Sequence, residues 1–331
     1  MKKIILATMV GLSLASVSHA QSSTLAGISF KHSASPKQTT KLLPPDKDKQ
    51  GKPIIAGYQK HAITFAGGSG ANVTSMLYTP GNQPDGKRHA AVILVHGLGG
   101  NKDQLAMLAV MLAQKGYAAL CIDAAGHGDR PKIGGAQENA LGVAPFKAMI
   151  AQTVQDLRCA VDVLSARKDV DTSRIGYVGA SLGGIIGSRF LADEPRIACA
   201  TILAAGGNLG QLLATSQIEG AKKLRAGKKI DPVAIQKELN EVDPAKHIGR
   251  AKPRPMLYLH GDKDDVVPVV NNDALFKATK QPKERVLMPG GHVPNPFELI
   301  QRRLRFLTKI STGRQQSDRT GSSRQHGSQR I

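Results

Sequence analysis

The sequence predicts an α/β fold in which a mostly parallel central sheet carries helices on both faces. Short, continuous apolar runs of the kind found in strands buried on both faces occur along most of the chain. Between them lie segments in which apolar residues recur every three or four positions, as on one face of a helix. With 331 residues, of which 41% are hydrophobic, the chain is long enough to bury one large core. Such alternation places ligands beyond the carboxyl ends of the strands, so we expect the functional residues in the loops there.

Residues 1–20 have the pattern of a secretory signal peptide. Two lysines near the start precede an apolar stretch at residues 4–14, which is too short to span a bilayer. Small residues, Ser18 and Ala20, occupy the positions that a signal peptidase inspects. We therefore expect cleavage after Ala20 and a periplasmic or secreted protein. Later stretches are too short or too polar to predict a transmembrane segment.

The folded domain is predicted to cover residues 61–310. Residues 21–60 are rich in Lys, Pro, Ser and Gln and are expected to form an extended N-terminal segment on the domain surface. A glycine-rich turn separates two short predicted strands at residues 63–65 and 73–78. Residues 90–95 form the first continuous apolar run and predict a fully buried strand.

Strands and helices then alternate to the end of the domain. Helices are predicted at residues 102–115, 150–164, 182–192 and 297–307, and strands at residues 118–122, 175–178, 197–204, 256–259 and 286–287. Residues 206–250 interrupt this alternation and are interpreted as a small helical insert, either a lid over the site or a surface excursion. Residues 311–331 carry no core-forming pattern and predict a disordered tail.

The formal charge of +20 raises the question of a nucleic-acid partner. The basic residues are spread over several segments, among them residues 222–229 and 302–305, with few aromatic residues between them and no nucleic-acid-binding motif. We therefore expect no specific nucleic-acid binding and only a nonspecific attraction to anionic surfaces.

The three cysteines each fall inside an apolar element: Cys121, Cys159 and Cys199. This placement favours buried free thiols, with a disulfide between two of them as the alternative.

Ser181 lies at the centre of the sequence GASLG, between a predicted strand and a predicted helix. A sharp strand-to-helix turn forces unfavourable backbone angles at its central residue and leaves room only for small neighbours, as this pattern provides. A serine at such a turn is a candidate nucleophile, provided that a base and a carboxylate lie nearby. The sequence LHGDKDDVVP at residues 259–268 supplies acids after a later strand, and His292 follows the last strand. The order Ser, Asp, His is the one expected on this type of sheet.

These motifs resemble those of the α/β-hydrolase superfamily, in particular its esterase and dienelactone-hydrolase-like branch. The resemblance covers residues 61–310 and includes HGLGG at residues 96–100, DAAGHG at residues 123–128 and DTSRI at residues 171–175. It implies an α/β-hydrolase fold without a cofactor.

By the same resemblance Asp264 is the acid, because it matches the family spacing H-G-x-x-D-x-x-V-P, and His292 is the general base. Asp262 and Asp265 are the alternatives for the acid and are otherwise expected to be solvated turn residues. The resemblance further implies an oxyanion hole formed by the backbone N–H groups of Leu98 and Leu182.

Three histidines and an aspartate at predicted strand ends also suggest a metal site: His96, His127, His260 and Asp123. They lack the tight spacing of known metal ligands, so we expect hydrogen-bonded loop residues and no metal.

A serine nucleophile points to acyl chemistry, because the dehalogenases and epoxide hydrolases of the superfamily use an aspartate and typical dienelactone hydrolases a cysteine. The expected activity is therefore hydrolysis of a small-molecule carboxylic ester with a small to medium acyl group, through an acyl-enzyme. Alternatives are a carboxylated or otherwise anionic substrate, an acyltransferase, a prolyl-oligopeptidase-like peptidase, or a non-catalytic polyanion-binding protein.

Overall fold

A computed structural model describes most of the domain and parts of the N-terminal segment. The described residues are 23–25, 28–30, 37–47, 52, 55–81, 86, 88–133, 142–227 and 230–311. The predicted signal peptide, and the predicted tail apart from Ser311, lie outside these ranges.

The described residues form one nine-stranded sheet and a separate two-stranded hairpin. The hairpin consists of β1 (Ser23–Leu25) and β2 (Ile28–Phe30). The strands of the large sheet are β3 (Gln38–Leu43), β4 (Tyr58–Ala66), β5 (Asn72–Pro80), β6 (His89–Val95), β7 (Tyr117–Ile122), β8 (Val170–Ala180), β9 (Ile197–Leu203), β10 (Met256–Gly261) and β11 (Lys283–Met288). Their spatial order is β11-β10-β9-β8-β6-β7-β5-β4-β3. The strands from β11 to β7 run parallel to one another, and β5, β4 and β3 extend the sheet in antiparallel fashion.

Helices cover both faces of this sheet, as predicted. They are α1 (Ala106–Gln114), α2 (Val143–Ser165), α3 (Leu182–Leu191), α4 (Leu209–Thr215), α5 (Glu219–Arg225), α6 (Pro232–Leu239), α7 (Pro244–His247), α8 (Val269–Ala278) and α9 (Pro296–Ser311). Apolar side chains of α2, α3 and α8 pack into the core on one face, and those of α1 and α9 pack on the other. None of the described helices is long and apolar enough to cross a lipid bilayer.

The strand order reverses beside β6 and creates the place where a ligand can bind. The chain passes from β6 to β7 on one side of the sheet and returns to β8 on the other side. The loops that leave β6 and β8 therefore separate at their carboxyl ends, where open α/β sheets bind ligands. The loop after β6 contains the predicted oxyanion residue Leu98, and β8 leads into Ser181.

The sheet begins earlier in the chain than the sequence indicated. We expected residues 21–60 to lie outside the sheet, but β3 pairs with β4 and forms its antiparallel edge. The side chains of β3 are exposed apart from the half-buried Leu43, so the strand has no apolar alternation to reveal it.

The insert at residues 206–250 is helical and contains α4 to α7. Cys121, Cys159 and Cys199 carry free thiols, and two of them, Cys121 and Cys199, are buried.

Candidate active site

The backbone at Ser181 makes the sharp turn that the sequence predicted. Ser181 has φ 52° and ψ −113°, between the end of β8 and the start of α3. A Cβ atom added at Gly179 would collide with the backbone carbonyl of Gly183, and one added at Gly183 would collide with the carbonyl of Val95. Glycine is thus required at both positions because helix α3 approaches the sheet so closely. The turn presents the Ser181 hydroxyl at the carboxyl edge of the sheet.

The structure brings Ser181, His292 and Asp264 into one hydrogen-bonded row. The Oγ of Ser181 lies 2.8 Å from Nε2 of His292, and Nδ1 of the same ring lies 2.8 Å from Oδ2 of Asp264. Because a carboxylate only accepts hydrogen bonds, Nδ1 carries the ring proton and Nε2 is free to accept from the serine hydroxyl. This is the geometry by which a carboxylate and an imidazole activate a serine.

Asp264 is held rigidly in its position by the loop that follows β10. Its side chain is only 5% exposed, and its Oδ1 accepts hydrogen bonds from the backbone N–H groups of Val266 and Val267, at 2.9 and 2.8 Å. The second oxygen is left for the histidine. The side chain is therefore a fixed acceptor for His292 rather than a mobile surface carboxylate.

The two alternative acids lie elsewhere and are exposed. Asp262 accepts a hydrogen bond from the N–H of Gly290 at 2.9 Å and so braces the loop that carries the histidine. Asp265 contributes its backbone carbonyl, which accepts from the N–H of Gln217 at 2.9 Å. Of the three acids in this turn, Asp264 is the one that contacts His292.

A second histidine lies beside the acid and was not assigned this place from the sequence. The Nε2 of His260 donates to the carbonyl of Val267 at 2.9 Å and lies 3.5 Å from Oδ2 of Asp264. The ring is fully buried, and burial lowers the pKa of His260. His260 is therefore neutral and packs against the carboxylate while supporting the turn around it.

The loop after β6 is fastened to the turn at Ser181. The N–H of Gly183 donates to the carbonyl of His96 at 3.0 Å, and Oε1 of Gln104 accepts from the N–H of Gly97 at 2.7 Å. Leu98 lies next in this loop and lines the cavity beside Ser181. Leu182 is the first residue of α3, where backbone N–H groups have no partner within the helix. The structure thus brings both predicted oxyanion residues next to the serine.

Histidines and acids of the neighbouring loops have structural hydrogen bonds. The Nε2 of His96 accepts from the N–H of Ala124 at 3.0 Å, and its Nδ1 donates to the carbonyl of Gly97 at 2.7 Å. His127 contacts the carbonyl of Ala125. Burial alone would raise the pKa of Asp123, but hydrogen bonds from Thr74 and Lys102 outweigh burial and lower it. Among the described residues, no group of three or more His, Cys, Asp or Glu side chains is arranged to hold a metal ion.

Two cavities meet at Ser181. The larger has a volume of about 400 Å³ and lies between α1, α9 and the strand ends, with His292 in its wall. The smaller has about 40 Å³ and is bounded by Leu98, Leu182 and apolar residues of α2 and the insert, including Phe146. Ile218 of the insert lines both.

Two residues of the larger cavity were missed as functional candidates. Gln104 fixes the loop after β6, but it belongs to a turn without a sequence motif. Arg303 lines the cavity and is 3% exposed, although in the sequence its segment, residues 302–305, is only one of several dispersed basic segments. Its place on the apolar face of α9, four residues after Leu299 and one before Leu304, was the signal that could have identified it.

Residues 86–243 match the protein family described as serine aminopeptidase, S33. An uncharacterized protein of Mycobacterium tuberculosis is 28% identical over 228 residues, which cover 67% of this chain and 70% of that protein. An esterase of Escherichia coli is 26% identical over 197 residues, covering 57% of this chain and 74% of the esterase.

Among solved structures, the acetyl xylan esterase from Paenibacillus sp. R4 superimposes with a TM-score of 0.67. The superposition covers 83% of this chain and 89% of that enzyme, at 20% sequence identity. At this identity the likeness shows the fold, which agrees with the nine-stranded sheet and the turn at Ser181. The chain therefore has the α/β-hydrolase fold, and its family match and sequence relatives support a place among the esterase-like serine hydrolases of that superfamily.

Proposed function

We propose that this chain hydrolyses carboxylic esters with Ser181 as the nucleophile. The hydroxyl oxygen of Ser181 attacks the ester carbonyl carbon while Nε2 of His292 takes the hydroxyl proton. The carbonyl oxygen becomes an oxyanion that accepts hydrogen bonds from the backbone N–H groups of Leu98 and Leu182. Asp264 stabilises the imidazolium that forms, because its carboxylate already accepts the Nδ1 proton in the resting state.

The intermediate then collapses and the acyl-enzyme is hydrolysed. The bond between the carbonyl carbon and the alcohol oxygen breaks, and His292 gives its proton to the departing oxygen. A water molecule attacks the acyl-enzyme, His292 accepts one of its protons, and the same proton returns to Ser181 as the acid leaves. No cofactor takes part in this scheme.

One observation carries the proposal: the row from Ser181 through His292 to Asp264 has both hydrogen bonds at 2.8 Å. A general base must lie within hydrogen-bond reach of the proton that it removes, and this base does. The acid is buried and held by two backbone N–H groups, so little reorganisation is needed when the imidazolium forms.

The two cavities suggest which part of the ester lies where. The departing oxygen must be close to Nε2 of His292, and this residue lines the larger cavity. The alcohol part is therefore assigned to the larger cavity and the acyl part to the smaller one, beside Leu98 and Leu182. The smaller cavity, at about 40 Å³, is far smaller than the larger one, at about 400 Å³. We infer a preference for acetyl and similarly short acyl groups.

Initial rates on 4-nitrophenyl acetate, butyrate and octanoate test this assignment. We expect kcat/KM to fall by about tenfold or more from acetate to octanoate, since a longer chain does not fit. Phe146→Leu enlarges the smaller cavity and is expected to raise the butyrate-to-acetate ratio. Phe276→Leu is the matched control, because Phe276 packs on Tyr258 outside both cavities. A chain that hydrolyses none of the esters would contradict the proposed function.

A peptidase activity is the second candidate, because the matching family is described as serine aminopeptidase. An aminopeptidase substrate brings a cationic α-ammonium group close to the scissile bond. This group belongs to the acyl part of the substrate and would enter the smaller cavity, whose lining, among the described residues, contains no acidic side chain to pair with it. We therefore expect aminoacyl 4-nitroanilides to be hydrolysed at least about a hundredfold more slowly than 4-nitrophenyl acetate, and the reverse order would favour the peptidase.

We further propose that the insert at residues 206–250 acts as the cover of the site. The Oγ of Ser216 donates to the carbonyl of Val266 at 2.6 Å, and the N–H of Gln217 donates to the carbonyl of Asp265 at 2.9 Å. These two bonds attach the insert to the loop that holds the acid. Substitution Ser216→Ala is expected to loosen this attachment and to raise KM more than it lowers kcat, in contrast to Thr215→Ala on the exposed side.

We also propose that the protein is exported. The pattern of residues 1–20 supports a signal peptide that is removed after Ala20. Amino-terminal sequencing of the mature protein, expressed in a bacterium with its native leader, should begin at Gln21 in the periplasmic fraction. Full-length protein confined to the cytoplasm would contradict export.

A further inference from the structure

Arg303 stands out among the arginines of the described chain because its buried charge is unmatched. Within the described residues, neither Nε nor Nη2 of Arg303 has a hydrogen-bond partner. Other buried arginines have hydrogen-bond partners: Arg189 pairs with Asp193 at 2.6 Å, and Arg254 donates to three backbone carbonyls, although its Nη2 has no partner among the described residues. On the same helix, Arg302 pairs with Glu298 at the surface and Arg305 is exposed.

The side chain of Arg303 lines the larger cavity and is hidden from bulk solvent. Arg303 and Leu299 lie one turn apart on α9, and both line the larger cavity together with Ser181 and His292. Only 3% of Arg303 is accessible. Burial lowers the pKa of Arg303 to about 10, so the guanidinium remains charged at neutral pH.

A buried charge without a partner destabilises a folded protein, and Met or Leu of similar size would be more stable at the same place. A cationic side chain in this position is therefore best explained by an anion that it binds. The planar guanidinium offers several N–H donors in a fork that matches a carboxylate. The remaining wall near it is apolar, formed by Leu105, Leu108 and Leu299.

From this arrangement we propose that Arg303 binds a carboxylate on the alcohol part of the substrate, so that the enzyme hydrolyses short-chain acyl esters of hydroxy acids with an apolar spacer. The assignment to the alcohol part rests on the proposed function, in which the larger cavity receives the alcohol. The binding of a carboxylate at Arg303 rests only on the cavity and on the unmatched charge.

The test compares two esters that differ in one charge. The substrates are 3-acetoxybenzoate and its neutral methyl ester, and the quantity measured is the ratio of their kcat/KM values. Arg303→Met should lower this ratio at least about tenfold relative to the parent, the effect of losing one charge-assisted pair. Arg305→Met is the matched control on the exposed side of the same helix and should leave the ratio unchanged. The same ratio in Arg303→Met and the parent overturns the proposal.

A binding measurement separates this inference from the proposed function. Calorimetric titration of the Ser181→Ala chain with 3-hydroxybenzoate and with methyl 3-hydroxybenzoate needs no turnover. We expect the carboxylate to bind at least about tenfold more tightly, and Arg303→Met to remove the difference. Should Arg303→Met fail to fold, Arg303→Gln gives the same comparison. Equal affinities for the two compounds overturn the inference even if the parent hydrolyses esters. A difference in affinity, together with a parent that hydrolyses no ester, supports the inference and contradicts the esterase.

Discussion

The backbone N–H of Gly183 donates to the carbonyl of His96 at 3.0 Å and thereby joins the turn at Ser181 to the loop that holds Leu98. This bond exists only because α3 lies close against the end of β6, where the Cα of Gly183 faces the carbonyl of Val95. The close approach is the structural origin of both the exposed serine and the adjacent oxyanion loop.

Gly183→Ala should therefore destabilise the protein. The added Cβ would collide with the backbone carbonyl of Val95, which cannot move without breaking the sheet. We expect the free energy of unfolding, measured with urea, to fall by more than about 2 kcal/mol. Gly291→Ala is the matched control, because a Cβ there would meet its first neighbour at 4.0 Å. An equal effect of the two substitutions would contradict the close-packing argument.

Asp264→Asn should reduce kcat by about a thousandfold or more while the chain remains folded. An asparagine can present its NH₂ group to His292 and favour the wrong tautomer of the ring. The control is Asp262→Asn, since its amide oxygen still accepts from the N–H of Gly290, and we expect less than about a tenfold change. Steady-state kinetics of the two variants decide between these acids, and a larger loss in Asp262→Asn would show that the wrong acid was assigned.

Gln104 is a positioning residue, and Gln104→Leu should lower kcat about tenfold with little change in KM. Loss of its Oε1 leaves the N–H of Gly97 unpaired and lets the loop with Leu98 shift away from the developing oxyanion. Gln114→Leu is the control, because the Gln114 side chain donates to the carbonyl of Ala56 and lines neither cavity. A purely structural role would instead lower the melting temperature of Gln104→Leu without a selective loss of kcat.

The titration of His96 should lower the stability of the protein at acidic pH. Burial lowers the pKa of His96 to about 4, below its value of about 6.5 in an unfolded chain. Between these values the unfolded chain binds the proton and the folded chain does not, so stability falls as the pH falls. Protonation would also set an N–H against the N–H of Ala124, which now donates to this ring.

The variant His96→Gln removes this titration. We expect the loss of unfolding free energy between pH 7 and pH 5, measured with urea, to be about 2 kcal/mol smaller in the variant. The variant's unfolding free energy should still fall as the pH falls, because the pKa of the buried His260 is also lowered. An identical pH dependence in the two proteins would show that His96 does not titrate in this way.

The sequence predicted those parts of the site that depend on short motifs. Ser181, Asp264 and His292 each follow a strand that is visible as an apolar run, and the structure brings them together. Parallel strands place their carboxyl ends at one edge of the sheet, so the order of these residues along the chain was sufficient to expect their proximity.

Features that depend on the packing between distant segments could not be predicted in this way. The edge strand β3 is exposed and lacks apolar alternation. The role of Gln104 depends on a hydrogen bond formed after the chain has turned, and Arg303 resembles the basic residues beside it in sequence. Only the position of α9 against the sheet shows that Arg303 is buried and lines the cavity.

The most direct test of the account is the rate of 4-nitrophenyl acetate hydrolysis by Ser181→Ala, compared with the parent and with Ser173→Ala. Ser173 is exposed and bonded to Asp171 away from the cavities, so its substitution should leave the rate unchanged. We expect Ser181→Ala to lose about a thousandfold or more of kcat while it remains folded. A Ser181→Ala protein that retains the parent rate would show that Ser181 is not the nucleophile and would contradict the proposed mechanism.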